Sequence, residues 1–304
     1  MNLILWTFVI AIVTSLACAV AGVLLVVKRE AFISEGLSHA VLPGVILAFL
    51  VFEDRSSPLL IICAALAGLL MVWLVQLLVR TGKVKQDAAL GIVFSGMFSV
   101  GVILSSLRLK NVHFHADCII DGNLAFAALE PFECWGFYLG PRAFISMLLF
   151  LVVLIGFIGL FFKQLKLLAF DESSLFMLGG NPRILHGIWL ALVAMVVVAA
   201  FEIAGTVLVV ALMIAPPAAA NYFSKQLSTM FYWSAALGVA SAVIGVAVSL
   251  QLDISPTGAI ASSSGILFLL VALVAPQKGL VAKQRARSKQ RKRIVKWLAT
   301  VSDP

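Results

Sequence analysis

Leu3 to Val27 reads LILWTFVIAIVTSLACAVAGVLLVV, a run without one charged side chain. As a helix rising about 1.5 Å per residue it is long enough to cross a hydrocarbon layer of about 30 Å. It has no basic segment ahead of it and is longer than the apolar core of a secretory signal. The run is therefore a membrane span rather than a cleaved leader.

The rest of the 304 residues extends this pattern. The chain is 62% hydrophobic and 12% charged, against roughly 45–50% and about 25% for a soluble domain. No single core could bury so much apolar surface, which excludes a disordered, secreted or soluble catalytic protein. Spanning runs cover 3–27, 36–52, 58–79, 87–107, 143–162, 186–201, 203–222, 229–250 and 256–275. The sixth and seventh are separated only around Glu202, which predicts a tight turn or a broken helix there. The fold class expected is all-α: a polytopic membrane bundle of eight or nine spans. Residues 1–277 form its transmembrane domain and 278–304 a basic tail.

The net charge of +8 is that tail, which holds nine basic residues and one acid. Such a juxtamembrane cluster fixes a cytoplasmic side and meets anionic lipid, not nucleic acid. Excluding the tail, alternate connections carry nine basic residues on one side and four on the other. This bias places the C-terminus inside and, with nine crossings, the N-terminus outside. Cys18 and Cys63 sit in apolar runs as small hydrophobes. Cys118 and Cys134 share the long outer connection, where an oxidising compartment would let them pair.

Four stretches carry chemistry. In SEGLSHAVLPG (34–44), Glu35 and His39 stand four apart and project from one helix face. Ionisable groups inside the apolar layer mark ion pathways, and a carboxylate with an imidazole suits divalent zinc, manganese or iron. The same spacing also suits a Glu–His hydrogen bond that only ties helices together. In EIAGTVLVVALMIAPPAAAN (202–221), Pro216 and Pro217 free the carbonyls of Leu212 and Met213. This predicts a broken, pore-lining helix, with Glu202 as a weaker candidate on the path. His113, His115 and Asp117 in the outer connection form a further weak ligand set, equally readable as solvated loop. On the other side, Asp171 can cap a short helix from Glu172 to Leu178 that Gly179 and Gly180 end. There is no GxxxxGK[ST] and no HExxH, so neither nucleotide hydrolysis nor metalloprotease chemistry is expected. His186, at the start of a span, reads as interfacial.

These segments together resemble the membrane permease subunits of bacterial ABC importers for divalent zinc, manganese and iron. GLSHAVLPGVILAFL (36–50) is similar to the family's G-D-x-x-S/A-H-A-x-x-P-G helix. DAALGIVFSGMFSVGVIL (87–104), FDESSLFMLGGNP (170–182), EIAGTVLVVALMIAPPAAANYFS (202–224) and DISPTGAIASSSGILFLLVALVAPQKGL (253–280) resemble later signatures. The resemblance implies a non-catalytic subunit in the bacterial inner membrane. Its partners would be a cytoplasmic ABC ATPase dimer, an extracytoplasmic metal-binding protein and a second permease copy or paralogue. No cofactor is held permanently; the manganese, zinc or iron ion is cargo. The family's Asp–His pair falls on Glu35 and His39, the glutamate reaching one methylene further. ATPase coupling falls on Phe170, Asp171, Glu172, Leu175, Gly179 and Gly180. The alternative reading of the residues is a proton-coupled carrier without an ATPase, using Glu35, His39 and Glu202.

Overall fold

The computed structural model describes residues 3–52, 58–108, 124–127, 129, 131–134 and 137–275. Helix α1 (Leu3–Val27) is followed by α2 (Phe32–Ala40), α3 (Leu42–Phe52), α4 (Pro58–Arg80) and α5 (Gln86–Arg108). A one-turn α6 (Leu124–Ala127) and an antiparallel hairpin, β1 (Pro131–Cys134) and β2 (Phe137–Pro141), occupy part of the long connection. Then come α7 (Arg142–Phe170), α8 (Glu172–Met177), α9 (Pro182–Phe223), α10 (Leu227–Leu252) and α11 (Pro256–Val274). Among the described residues, eight helical stretches are long and apolar enough to cross a membrane, α2 and α3 counting as one. The hairpin departs from an all-helical reading; its four- and five-residue strands carry too weak an alternation to be read from sequence.

Helices α1 and α9 form the centre, with 72% of their spanning windows buried, against 22% for α5 and 17% for α7. Since lipid supplies no hydrophobic drive between helices, close packing and hydroxyl bonds hold the centre together. Ser234 Oγ donates to the carbonyl of Ala19 at 2.7 Å, Ser15 Oγ to Gly238, and Ser263 Oγ to Ser241 at 2.7 Å. Gly22 lets α1 lie directly against the Met213 carbonyl, where a Cβ would collide with the oxygen. That carbonyl is one of the two freed by the paired prolines, so a glycine on α1 fits the acceptor that Pro217 leaves.

At about 63 Å by helical rise, α9 is twice the length one crossing needs. It is interrupted at Gly205 (φ 73°, ψ 165°), a conformation open essentially to glycine. Both of its ends lie on one side of the bundle. At the start, His186 touches Glu30, just beyond the end of α1. At the other end α9 leads into α10, which matches α1 in antiparallel order, Ser234 beside Ala19 and Gly238 beside Ser15. The start of α10 therefore lies where α1 ends. So α9 is two crossings joined at Gly205, which makes nine among the described residues. The break expected near Glu202 is present, at Gly205, whereas the separate break expected at Pro216 and Pro217 is not. Both prolines are buried inside continuous helix, with Gly22 of α1 packed against the freed Met213 carbonyl.

Candidate functional site

A helix notched by a proline and a helix broken at a glycine meet at His39. Pro43 has no N–H, so the His39 carbonyl four residues earlier loses its helical donor at the join of α2 and α3, where Val41 keeps helical angles and its bonds to Leu37 and Val45. Gly101 of α5 allows the approach, since a Cβ there would lie 3.1 Å from the Pro43 nitrogen. The Gly205 interruption of α9 comes in from the other side. Between them lies a cavity of about 30 Å³ lined by Ser38, His39, Val41, Leu42, Phe98, Phe201 and Thr206. That is roughly the volume of one water molecule, and imidazole, hydroxyls and interrupted backbone surround it. Discontinuous spans of this kind form the ion and substrate sites of transporters.

The His39 ring is half-buried and held by two phenylalanines. Phe94 stacks on it at 5.8 Å between centroids, and Phe98 meets it edge-on at 5.5 Å. Glu35, one turn earlier, is exposed. Among the described residues no hydrogen bond or ion pair joins Glu35 to His39, so the pair is not a tie between helices. An exposed carboxylate on a spanning helix needs a polar neighbour, either water or another subunit. Glu202 is also exposed, three residues before the Gly205 break. His113, His115, Asp117 and Cys118 lie outside the described residues, as does the basic tail.

The 163–185 connection is built as its residues suggest. Asp171 accepts from the Ser174 amide at 3.1 Å and from the Ser174 hydroxyl, capping α8. These two bonds, the hydroxyl's first, hold the Asp171 carboxyl below the usual carboxylate range. Gly179 closes the helix with φ +80°, and Gly180 packs on Leu175 so closely that a Cβ would come within 2.7 Å of its side chain. Leu175 itself is buried, so it anchors α8 rather than touching a partner. Phe170, Phe176, Met177 and Leu178 are 64–85% exposed, an apolar surface that solvent alone would not favour.

A second Glu–His contact, invisible in the spacing, lies beside this segment. Glu30 is buried, and its Oε2 lies 2.8 Å from Nε2 of His186. Burial alone would raise the Glu30 pKa, but the His186 bond and charge, with Gln86 and Lys28, outweigh it and hold the carboxyl below its ordinary value. Lys28 reaches Glu172 of α8 at 2.7 Å. These groups line an open cavity of about 610 Å³ together with Arg80, Arg183 and Gln76. His186 thus stands at the start of its span, as expected, and is bonded there to Glu30. Its partner lies 156 residues away, a separation at which no spacing rule operates.

The profile of the ABC 3 transport family matches residues 1–275. The chain belongs to the ABC 3 transport family. Within it, the chain is 34% identical over 279 residues to the manganese transport system membrane protein MntD of Bacillus subtilis (strain 168), covering 92% of this chain and 94% of that one. It is 38% identical over 275 residues to the zinc transport system membrane protein TroD of Treponema pallidum (strain Nichols), covering 90% and 74%. The same architecture appears in the solved structure of PsaBC from Streptococcus pneumoniae in complex with Fab, with a TM-score of 0.75 at 24% identity, covering 91% and 94%. This ABC 3 chain is therefore a multi-pass membrane permease whose fold is that of a solved relative.

Proposed function

We propose that this permease carries a divalent transition metal ion, manganese, zinc or iron, into the bacterial cytoplasm past Glu35 and His39. The observation that carries the reading is the meeting of the Gly205 break with the proline-notched α2–α3 span at a half-buried histidine, in a chain whose relatives are named for manganese and zinc transport. The ion is cargo: it is held transiently by His39, Glu35 and the freed backbone, with no resident cofactor. Glu35, exposed towards neither His39 nor a described partner, meets a second permease copy or paralogue across that face.

With no phosphate-binding loop, the chain draws its energy from a cytoplasmic ATPase dimer. The segment Phe170 to Gly180 is where that motor docks. The exposed Phe170, Phe176, Met177 and Leu178 supply contact area, while Asp171, Leu175, Gly179 and Gly180 hold its shape. An extracytoplasmic binding protein delivers metal at the opposite face. The excess of basic residues beside α8 supports a cytoplasmic location for it and for the C-terminal tail, in the inner membrane.

The test is whole-cell manganese, zinc and iron content by elemental analysis. Cells carrying the intact importer are compared with cells carrying His39→Ala at equal membrane abundance. Loss of one metal's uptake supports the reading and names the cargo; unchanged uptake of all three overturns it. Purification in mild detergent separates the remaining mechanism class, since an importer brings an ATPase with it and a proton-coupled carrier does not.

A further inference from the structure

The turn between α1 and α2 is tied twice, and to two different elements. Lys28 Nζ lies 2.7 Å from Glu172 Oε1 on α8, the segment assigned to the motor. Two residues on, Glu30 Oε2 lies 2.8 Å from His186 Nε2 on the first turns of α9. Between them Arg29 holds φ at 62°, a left-handed conformation uncommon outside glycine. The Arg29 and Glu30 amides bond back to the carbonyls of Val26 and Leu25 at 3.2 and 2.7 Å. The turn is thus fixed to the end of α1 by backbone and to α8 and α9 by side chains. Its other end runs straight into α2, with Ile33 following Glu30 through a 2.9 Å amide bond. Helix α2 carries Glu35 and His39, and α9 carries the Gly205 break that forms the other wall of the His39 cavity.

We infer that Lys28, Glu30 and His186 are positioning residues that clamp the motor-facing α8 to both walls of the metal site, so that displacement of α8 moves α2 and α9 as one. The inference rests on the functional reading above. The chemistry suits a clamp better than a metal stop. The Glu30–His186 contact already engages both groups, and Lys28, Arg80 and Arg183 outnumber Glu30 and Glu172 around the cavity, which disfavours a cation. A charged tie of this geometry is short, directional and lost in one step when its partners separate. Coupling between distant sites requires a connection with two discrete arrangements. Lys28 is nearly enclosed while Glu172 is 57% exposed, so the bridge runs from the solvent-facing α8 into the packed turn that leads to α2.

The experiment uses the assembled importer, permease with its ATPase and binding protein, in proteoliposomes supplied in turn with Mn²⁺, Zn²⁺ and Fe²⁺. It reads the metal ion moved per ATP hydrolysed, for the ion that wild type transports. Lys28→Glu lowers that ratio at least fivefold. The exchange Lys28→Glu with Glu172→Lys restores it to within twofold of wild type. Glu30→Gln, which keeps an acceptor for His186, loses less of the ratio than Glu30→Ala. Melting of each purified permease in detergent confirms that it is folded. A folded Lys28→Glu protein with the wild-type ratio overturns the clamp, as does a folded exchange variant that stays uncoupled. If the wild-type assembly moves none of the three metals, the functional reading fails instead, and the two failures are separate.

Discussion

Glu30 and Glu35 stand five positions apart, each with a histidine as its natural partner, and the two pairs are opposites. Glu30 is buried and bonded to His186 at 2.8 Å. Glu35 is exposed, unbonded to His39, and the His39 ring is steadied by Phe94 and Phe98 instead. A carboxylate and imidazole that satisfy each other form a structural tie. The same two groups held apart, beside interrupted backbone, keep their lone pairs available for a ligand. Residue type alone does not separate these roles; the presence or absence of the mutual bond does.

That contrast sets the order of expected effects. The largest is on transport at the open pair: Glu35→Ala and His39→Ala each lower metal uptake by roughly tenfold or more, the scale of about 1.4 kcal/mol or more of lost ion binding. Both leave the melting temperature of the purified permease close to wild type, and a large drop in melting temperature would show that this pair is structural after all. Next is Gly205→Ala, which forces a side chain into a backbone conformation costing about 1–3 kcal/mol. Thermal unfolding in detergent reads the loss, and uptake falls with it because the break shapes the His39 cavity.

At the closed pair, stability and transport are affected in the opposite proportion. Glu30→Ala leaves the His186 imidazole without its buried partner and destabilises by about 1–3 kcal/mol. The pH dependence follows from the lowered Glu30 pKa. A carboxyl with a depressed folded-state pKa contributes stability that is whole above its unfolded value, near 4.5, and lost as pH falls through the folded one. Wild type therefore loses its advantage over Glu30→Gln only on acidification below about pH 4.5, and an advantage lost at neutral pH would contradict this. The smallest stability effect is Lys28→Ala. Its partner Glu172 is largely exposed, so the bridge contributes about 1 kcal/mol or less, although the same contact matters for coupling.

Several features were legible along the chain because they are local. Leu3 to Val27 declares a span by length and absence of charge. Asp171, Gly179 and Gly180 mark the ends of α8 through capping and a left-handed glycine, both decided within a few residues. Glu35 and His39 are found by helical spacing. The break near Glu202 was also legible, but its cause was not. Proline rules predicted a further break at Pro216 and Pro217 that the helix does not show, and the freed Met213 carbonyl faces Gly22 of α1. Gly205 looks like any glycine in a membrane helix until its neighbours are placed.

The sequence by itself determined that this is a many-span membrane protein with a capped helix beside its basic connections, because hydropathy, charge bias and capping act within a few residues. Only the tertiary structure decided that α9 turns back at Gly205, that its break lies beside His39 and the Pro43 notch, and that Glu30 finds His186. These depend on residues from 156 to 223 positions apart coming into contact, and such contacts follow from how the whole bundle packs rather than from any one segment.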